Sequence, residues 1–316
     1  MTGYVTDARG KKWALPPLLA WRMEYATGTP CDSFWLRCVW EMDSTAKPKD
    51  WVGFYAEHEG QRVFTGVVDE CEVSQTGQGC RVEVSGRGMA ALLLDNEALG
   101  QDYTMATQED ILRDHVRPYG ITVKAGKTLP AVARFSVATG SSEWSVLYEF
   151  ARYRGGVAPR FDREGRLVLT GWEDTKVYQV DDMTAVLSLL RRDRRYGVLS
   201  QVLVRDRYSG NIQTVNNQTF SANGGRARQV VTMPGRSDYK TMRYTGQFQL
   251  DKSADGLEEV EVTVAQPFSA WPGDLIHIQR SNWDWNGQYR VAQAVTGMDE
   301  SGYWTRLELK QTDFVG

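Results

Sequence analysis

The chain has 316 residues, of which 41% are hydrophobic and 24% charged, and this composition predicts a folded, soluble protein with room for two or more domains. Its formal net charge of −3 excludes a general attraction to nucleic acid or to an anionic membrane surface. The longest aliphatic run, Met89–Leu94, is far shorter than the about 20 residues of a membrane-spanning helix, and no signal peptide is predicted at the N-terminus.

The first 87 residues are predicted to consist mostly of β-strands. Strand-like segments occupy 32–40, 50–57, a long stretch at 62–74 and 80–86, and Gly-containing turns separate the last three. Several short strands in series with such turns indicate a small antiparallel barrel or sandwich.

The stretch VEVSGRGMAALLLD at 82–95 carries two glycines at the end of a predicted strand. Gly86-x-Gly88-x-x-Ala91, followed by a helix-like apolar stretch that ends near Leu99, has the spacing of a dinucleotide-binding turn. That fingerprint also requires a parallel strand after the helix, whereas a polar linker and a second helix follow here. We therefore interpret Gly86 and Gly88 as a structural barrel-to-helix turn and keep a nucleotide-dependent enzyme as an alternative.

The middle of the chain changes to helical periodicity. Thr107-x-x-Asp110 has the form of a capping box and predicts the start of a helix that ends at a Pro-Tyr-Gly sequence. A second helix is predicted at 141–156 and a hairpin turning at 162–165 follows it. His115 lies on the apolar stripe of the first helix, which is typical of a core histidine and leaves a ligand or base role as the alternative.

The last third of the chain returns to strands after a mixed region. A basic cluster at 191–197 and a helix at 237–253, interrupted by Gly246, precede four strand-like segments. Residues 51–84 and 273–309 share a layout of three strands and two Gly-containing turns, which predicts a second barrel of the same kind.

The predicted fold class is α+β, mainly β, with two small antiparallel β-barrel domains that flank and pack with α+β modules. The predicted segments are an N-terminal β-barrel domain (1–87), an α+β module with connecting helices and a hairpin (88–190), a mixed connecting module (191–255) and the C-terminal part of a second β-barrel (256–316).

No catalytic, cofactor-binding or metal site is predicted. The four cysteines, Cys31, Cys38, Cys71 and Cys80, form no C-x-x-C pair, and the three histidines are scattered. A disulfide between Cys71 and Cys80, which flank one hairpin turn, is an alternative to free buried thiols. Neither a G-x-S-x-G nor an H-E-x-x-H sequence occurs, and nothing singles out a glycosidase pair among the 40 carboxylates.

An ordered series of stretches resembles the baseplate hub proteins of contractile-tailed phages, the late control protein D family, and especially those of Gram-positive prophages and tailocin-like elements. These stretches are VFTGVVDECEVSQTGQGCRVEVSGRGMAALLLDNEA (63–98), TQEDILRDHVRPYGI (107–121), SSEWSVLYEFARYRGGVAPRFDREGRLVL (141–169) and SAWPGDLIHIQ (269–279). The resemblance spans roughly residues 50–310, while the first 45 residues and the stretch 200–235 carry little of it.

The resemblance implies a structural protein without catalytic residues or cofactors. It implies a homotrimeric ring of pseudo-six-fold symmetry that joins a six-fold tail tube protein to a three-fold central spike protein, with the tape measure protein as a further partner. It also implies assembly in the bacterial cytoplasm into a virion or tailocin particle of the contractile injection type. Neither nucleic-acid sequence recognition nor membrane insertion is expected.

The chain contains 11 tryptophans, a residue favoured at the centres of protein interfaces. Trp283 and Trp285 fall in a predicted turn between two strands and are candidates for a subunit or domain interface, although they can equally cover the end of their own barrel. The same tryptophan content keeps a carbohydrate-binding or cell-wall-degrading tail module as the alternative function.

Overall fold

The structure, a computed structural model, describes residues 1–27, 31–41, 47–77, 79–174, 176–233, 239–254 and 257–312, without the side chains of 153–155 and 241. The strands are β1 (Thr2–Asp7), β2 (Lys12–Ala14), β3 (Leu18–Ala26), β4 (Ser33–Val39), β5 (Trp51–His58), β6 (Gln61–Thr76), β7 (Gly79–Gly88), β8 (Gln101–Ala106), β9 (Val132–Val137), β10 (Arg160–Phe161), β11 (Leu167–Val168), β12 (Val177–Asp181), β13 (Val186–Asp193), β14 (Gln201–Asp206), β15 (Ile212–Asn216), β16 (Arg228–Met233), β17 (Glu258–Val264), β18 (Leu275–Gln279), β19 (Gly287–Asp299) and β20 (Gly302–Lys310). The α-helices are α1 (Ala91–Leu94), α2 (Gln108–His115), α3 (Glu143–Gly155), α4 (Gln218–Ala222) and α5 (Tyr239–Ala254).

One large sheet combines strands from both ends of the chain. Its strand order is β13-β17-β20-β19-β3-β4-β7-β6-β5-β1-β2, with β18 beside β19 and β12 beside β18. Among the described strand pairs of this sheet, only β12–β18 is parallel. The sheet surrounds one core of apolar side chains that includes Trp21, Phe54, Phe64, Val262 and Leu307. The predicted mainly β, α+β fold class is thereby confirmed, while barrel closure and the division into four segments stay predictions.

Two five-stranded units with the same strand order make up most of this sheet. The first unit is β3-β4-β7-β6-β5 and the second unit is β13-β17-β20-β19-β18. The first strand of each unit has a bulge, at Leu19 in the first unit and at Leu187 in the second. The fourth strand has another, at Asp69 in the first unit and at Ala292 in the second. Because bulges sit at fixed positions in a ladder, these two pairs align the units residue by residue. The layout shared by residues 51–84 and 273–309 therefore reflects a repeated strand arrangement.

The two units join through a direct strand pair. Residues 21–26 of β3 lie antiparallel to residues 293–298 of β19, with Tyr25 opposite Ala294 and Met23 opposite Thr296. The second half of β19 thus has β20 on one side and β3 on the other. This pair brings together segments more than 260 residues apart in the sequence, and it joins the two units into one continuous sheet.

The middle module contains the predicted helices and hairpin around a separate core. Helix α2 begins with the predicted capping box, in which the Thr107 side chain accepts from the Asp110 N–H and the Asp110 side chain accepts from the Thr107 N–H. Strands β10 and β11 form the predicted hairpin, with Gly165 at a φ of 77° in its turn. The long helix expected after Gly88 is wrong, because α1 has only four residues and the Asn96 side chain donates to the Leu92 carbonyl at 2.7 Å, at the end of the helix.

A small α/β module lies between β13 and β17. Helix α5 packs on the three-stranded sheet β15-β14-β16, so the predicted helix is confirmed; residues 237–238 of that prediction lie outside the described residues. A Cβ atom at Gly246 would stand 2.5 Å from Cγ2 of Val215. Gly246 therefore allows the helix and the sheet to approach closely, which offsets its poor helix propensity.

Candidate assembly interface

Two strand edges of the five-stranded units lack a neighbouring strand within the described residues. β6 pairs with β5 only as far as Val67, so its residues 69–75 have β7 on one side and no described strand on the other. β13 pairs with β17 alone. We call these segments the β6 edge (69–75) and the β13 edge (186–193). Unpaired backbone N–H and C=O groups along such an edge are a template for another strand.

The two edges carry opposite charges. Asp69, Glu70 and Glu72 are exposed on the β6 edge, where only Asp69 takes part in a described ion pair, with Arg87 at 2.7 Å. Next to them, Val73 is 47% exposed. Neither edge is predicted from the sequence. The signal for the β6 edge is the predicted strand 62–74, which is much longer than the strand before it. The part of a long strand that extends beyond its shorter neighbour has no partner on that side.

The β13 edge is basic because its last three residues, 191–193, overlap the basic cluster 191–197. Arg192 donates to Glu259 at 2.8 Å, and Arg191 lies 3.3 Å from Glu258, both on β17. Arg194 follows directly after the strand and lies 3.5 Å from Glu259. The cluster is therefore partly neutralised by acidic residues of its own sheet, yet about half of the Arg192 and Arg194 side chains stays exposed.

The predicted interface tryptophans lie beside the β13 edge. The rings of Trp283 and Trp285 are 5.0 Å apart in an edge-to-face arrangement, and the Arg191 guanidinium lies 5.0 Å from the Trp285 ring. Trp283 packs against the large core, whereas Trp285 is 40% exposed. Trp283 is thus partly covered by the core while Trp285 reaches the surface; their role in an interface stays a prediction.

Gly86 and Gly88 are the last glycines of β7, directly before α1. A Cβ atom at Gly86 would stand 2.0 Å from the Val67 carbonyl oxygen and 2.7 Å from the Phe34 ring. At Gly88 the nearest atom would be Cβ of Asp32 at 3.4 Å. β7 is antiparallel to both neighbours and α1 spans a single turn, so these glycines do not open a dinucleotide-binding βαβ unit.

A cavity of about 330 Å³ separates the large sheet from the β10–β11 hairpin. Asp32, Arg163, Trp271 and Asp274 contribute to its lining, and the Arg163 guanidinium lies 4.4 Å from the Trp271 ring. The Asp32 carboxylate accepts from the Ala26 N–H at 3.3 Å. Burial is the main cause that raises the pKa of Asp32 to about 7.

We expect Asp32 to lower the stability of the protein as the pH rises from about 4 to about 7. Its carboxyl titrates near pH 4 in the unfolded chain, so the folded state binds more protons between these values and its free energy of unfolding falls. Thermal unfolding should therefore show similar midpoints for the wild type and Asp32→Asn at pH 4, and a midpoint a few degrees higher for Asp32→Asn at pH 8. Asp102→Asn, at an exposed site, serves as the control, and equal midpoints at pH 8 would refute the expectation.

His115 is a hydrogen-bonded core residue. Its Nδ1 lies 2.6 Å from Oε2 of Glu143 and its Nε2 lies 3.0 Å from the hydroxyl of Tyr103, while the Tyr119 hydroxyl donates to Oε1 of Glu143. His115 and Glu143 are 3% and 6% exposed. With both ring nitrogens occupied by these contacts, His115 supports the packing of α2 on α3 rather than facing a substrate.

The described residues contain no group of three or more metal-ligating side chains. Their four cysteines are free, and the β6–β7 register places Cys71 opposite Val84 and Cys80 opposite Gln75, so these two cysteines are not cross-strand partners. No helix among the described residues is both long and apolar enough to cross a membrane.

Comparison with known proteins identifies the middle module. Residues 90–171 match the family model described as "Baseplate hub protein gp44-like, second domain". No curated protein sequence matches the chain.

Solved structures extend the likeness to the whole fold. A tail protein from Neisseria meningitidis MC58 is 16% identical, with a TM-score of 0.79 over 98% of this chain and 96% of that one. The 43 kDa tail protein of prophage MuSo2 from Shewanella oneidensis is 18% identical, with a TM-score of 0.78 over 99% and 98%. The E. coli c3393 protein, a type VI secretion component described as structurally similar to the T4 tail proteins gp27 and gp5, is 14% identical, with a TM-score of 0.56 over 92% and 73%.

The resemblance to baseplate hub proteins is thereby confirmed. The family match covers the α+β module and the shared fold covers both five-stranded units. The protein therefore has the fold of these tail proteins, with a middle module that matches a baseplate hub domain.

Proposed function

We propose that this protein, with its tail-protein fold and its hub-type second domain, is a structural baseplate hub of a contractile tail or injection particle. Three copies would form a ring in which each chain contributes its first and second units. Six similar units would then face a six-fold tail tube protein on one side, while the three-fold arrangement of chains would fit a central spike protein on the other.

The observation that carries this proposal is the repeated five-stranded unit. A cyclic trimer of an unrepeated chain offers three equivalent surfaces, whereas a trimer of this chain offers six that are nearly equivalent. The matched bulges at Leu19 and Leu187 and at Asp69 and Ala292 show that the likeness of the units extends to the ladder itself. Nearly equivalent backbone surfaces are what a partner with six-fold symmetry requires.

The remaining features fit a structural role within a virion or tailocin particle. We propose no catalytic activity and no cofactor. The tape measure protein is a further proposed partner. Assembly would take place in the bacterial cytoplasm before the particle is released.

Light scattering coupled to size-exclusion chromatography tests the proposal. We expect a species of three times the 35.7 kDa chain mass, for the protein alone or after mixing with its tube and spike proteins. Electron-microscopic class averages of that species should show a ring with six similar lobes. A protein that stays monomeric in every mixture, or one that hydrolyses peptidoglycan, would contradict the hub and favour the cell-wall-degrading module.

A further inference from the structure

We infer that the β13 edge of one chain adds as a strand to the β6 edge of the next chain, in a register set by the β3–β19 pair. This inference rests on the proposed ring and names the strands that close it. Within one chain, the first strand of the first unit pairs with the fourth strand of the second unit. The equivalent strands left over are β13 and β6, and these carry the two free edges.

The matched bulges fix the residue equivalence. When Leu19 is aligned with Leu187, Trp21 is equivalent to Leu189, Met23 to Arg191 and Tyr25 to Asp193. Aligning Asp69 with Ala292 places Cys71 on Ala294 and Val73 on Thr296. The second alignment also brings Gly79 onto Gly302, and both have positive φ angles, of 116° and 108°.

Transferring the β3–β19 register gives the pairing between chains. The expected opposite residues are Leu189 with Gln75, Leu190 with Ser74, Arg191 with Val73, Arg192 with Glu72, Asp193 with Cys71 and Arg194 with Glu70 of the neighbouring copy. The pair is antiparallel, like the one within the chain.

Burial shows what the missing strand does. Thr296 of β19 is 1% exposed beneath β3, while its equivalent on β6, Val73, is 47% exposed. Likewise Tyr25 of β3 is 4% exposed, whereas its equivalent on β13, Asp193, is exposed. The same backbone position is thus covered where the partner strand belongs to the chain and open where it would come from a second copy.

The charges of the two edges are complementary in this register. Arg192 would face Glu72 directly and Arg194 would face Glu70, and oppositely charged cross-strand pairs stabilise a sheet. The intrachain joint already has a polar contact at the equivalent place, because the Gln293 side chain donates to Glu24. Glu24 is equivalent to Arg192 and Gln293 to Glu70, so an ion pair would replace that hydrogen bond.

The two edges make a head-to-tail contact, in which each chain uses two different surfaces. Such a contact continues from chain to chain until the rotation per chain closes a ring. The occupant of both edges is therefore a second copy of this chain rather than an unrelated strand. Main-chain hydrogen bonds would supply affinity, as in other cases of strand addition.

Cysteine cross-linking tests the register, because Cys71 is already present. Directly opposite residues of an antiparallel pair have Cα atoms about 4.5–5.5 Å apart, within the range that a disulfide bridges. Residues two positions away from the opposite one lie too far apart for a disulfide. Asp193→Cys should therefore give covalently linked chains on mild oxidation, seen on a non-reducing gel. Asp193→Cys with Cys71→Ser, and Arg191→Cys with Cys71 retained, are the matched controls and should stay unlinked.

The outcomes separate this inference from the proposed function. A trimer by light scattering whose Asp193→Cys variant stays unlinked, or in which Arg191→Cys links instead, would overturn the register and leave the hub standing. A wild-type protein that stays monomeric in every mixture would overturn the hub itself.

A charge variant tests the same contact without a new thiol. Glu70→Lys with Glu72→Lys should leave the thermal midpoint of the chain unchanged, since both glutamates are exposed and neither forms an ion pair among the described residues. It should shift the eluted species from trimer to monomer, because the lysines would face Arg192 and Arg194. Asp102→Lys with Glu300→Lys, the same charge change at exposed sites elsewhere, should keep the trimer. A trimer formed equally well by both variants would contradict the inference.

Discussion

Replacing Gly86 with alanine should destabilise the protein by about 3 kcal/mol, whereas the same change at Gly88 should cost less than about 0.5 kcal/mol. The added Cβ at Gly86 would stand 2.0 Å from the Val67 carbonyl oxygen. The backbone of β6 or β7 must move to relieve this clash. The Cβ would also meet the Phe34 ring, which stacks on Phe54 at 4.0 Å in the centre of the core. Overpacking at such a place cannot be absorbed by a rotamer change.

Urea unfolding followed by tryptophan fluorescence measures both changes. The transition midpoint should fall for Gly86→Ala and stay near the wild type for Gly88→Ala, with the slope of the transition unchanged. A β-branched residue at Gly86 should prevent folding altogether. Equal midpoints for the two alanine variants would show that the close approach of β6 and β7 relaxes at little cost. The sequence pairs these two glycines as one turn, but the structure assigns the steric demand to Gly86.

Local signals predicted the middle module best. The capping box of α2 is complete within four residues, and the turn of the β10–β11 hairpin needs only a glycine at a positive φ, so both follow from short stretches. The same reasoning overextended α1, since MAALLLDNEAL has helical composition throughout. There the Arg87 guanidinium binds Asp95 at 2.7 Å and Asn96 donates to Leu92, contacts that composition alone does not reveal.

The strand pairing between the units was beyond sequence reasoning. The repeated layout of turns predicted two similar units, because turn spacing is local, but the β3–β19 pair joins the two ends of the chain. Which edges remain free depends on that pair, so the β13 edge could not be recognised from the sequence, and the length of the predicted strand 62–74 is the one local signal for the β6 edge. Trp283 and Trp285 were selected on residue type, and the structure places them beside one of those edges.

Replacing Glu143 with alanine should destabilise the protein by about 3 kcal/mol, through the middle module. Glu143 accepts hydrogen bonds at both oxygens, from His115 at 2.6 Å and from the Tyr119 hydroxyl at 2.9 Å. Its removal leaves a buried imidazole and a phenol without an acceptor, and it opens a void where α3 begins. The carboxylate also stands in the first turn of α3, where a negative charge is favoured by the helix dipole.

Glu143→Gln separates the charge from the volume. The glutamine oxygen can accept from only one of the two donors, while its amide group faces the other, so we expect an intermediate loss of about 1–2 kcal/mol. Glu149→Ala, at an exposed position of the same helix, is the control and should change the free energy of unfolding by less than about 0.5 kcal/mol. Urea unfolding of the three variants gives the order. If Glu143→Ala unfolds at the same urea concentration as Glu149→Ala, water replaces the lost acceptor and the buried network does not stabilise the contact between α2 and α3.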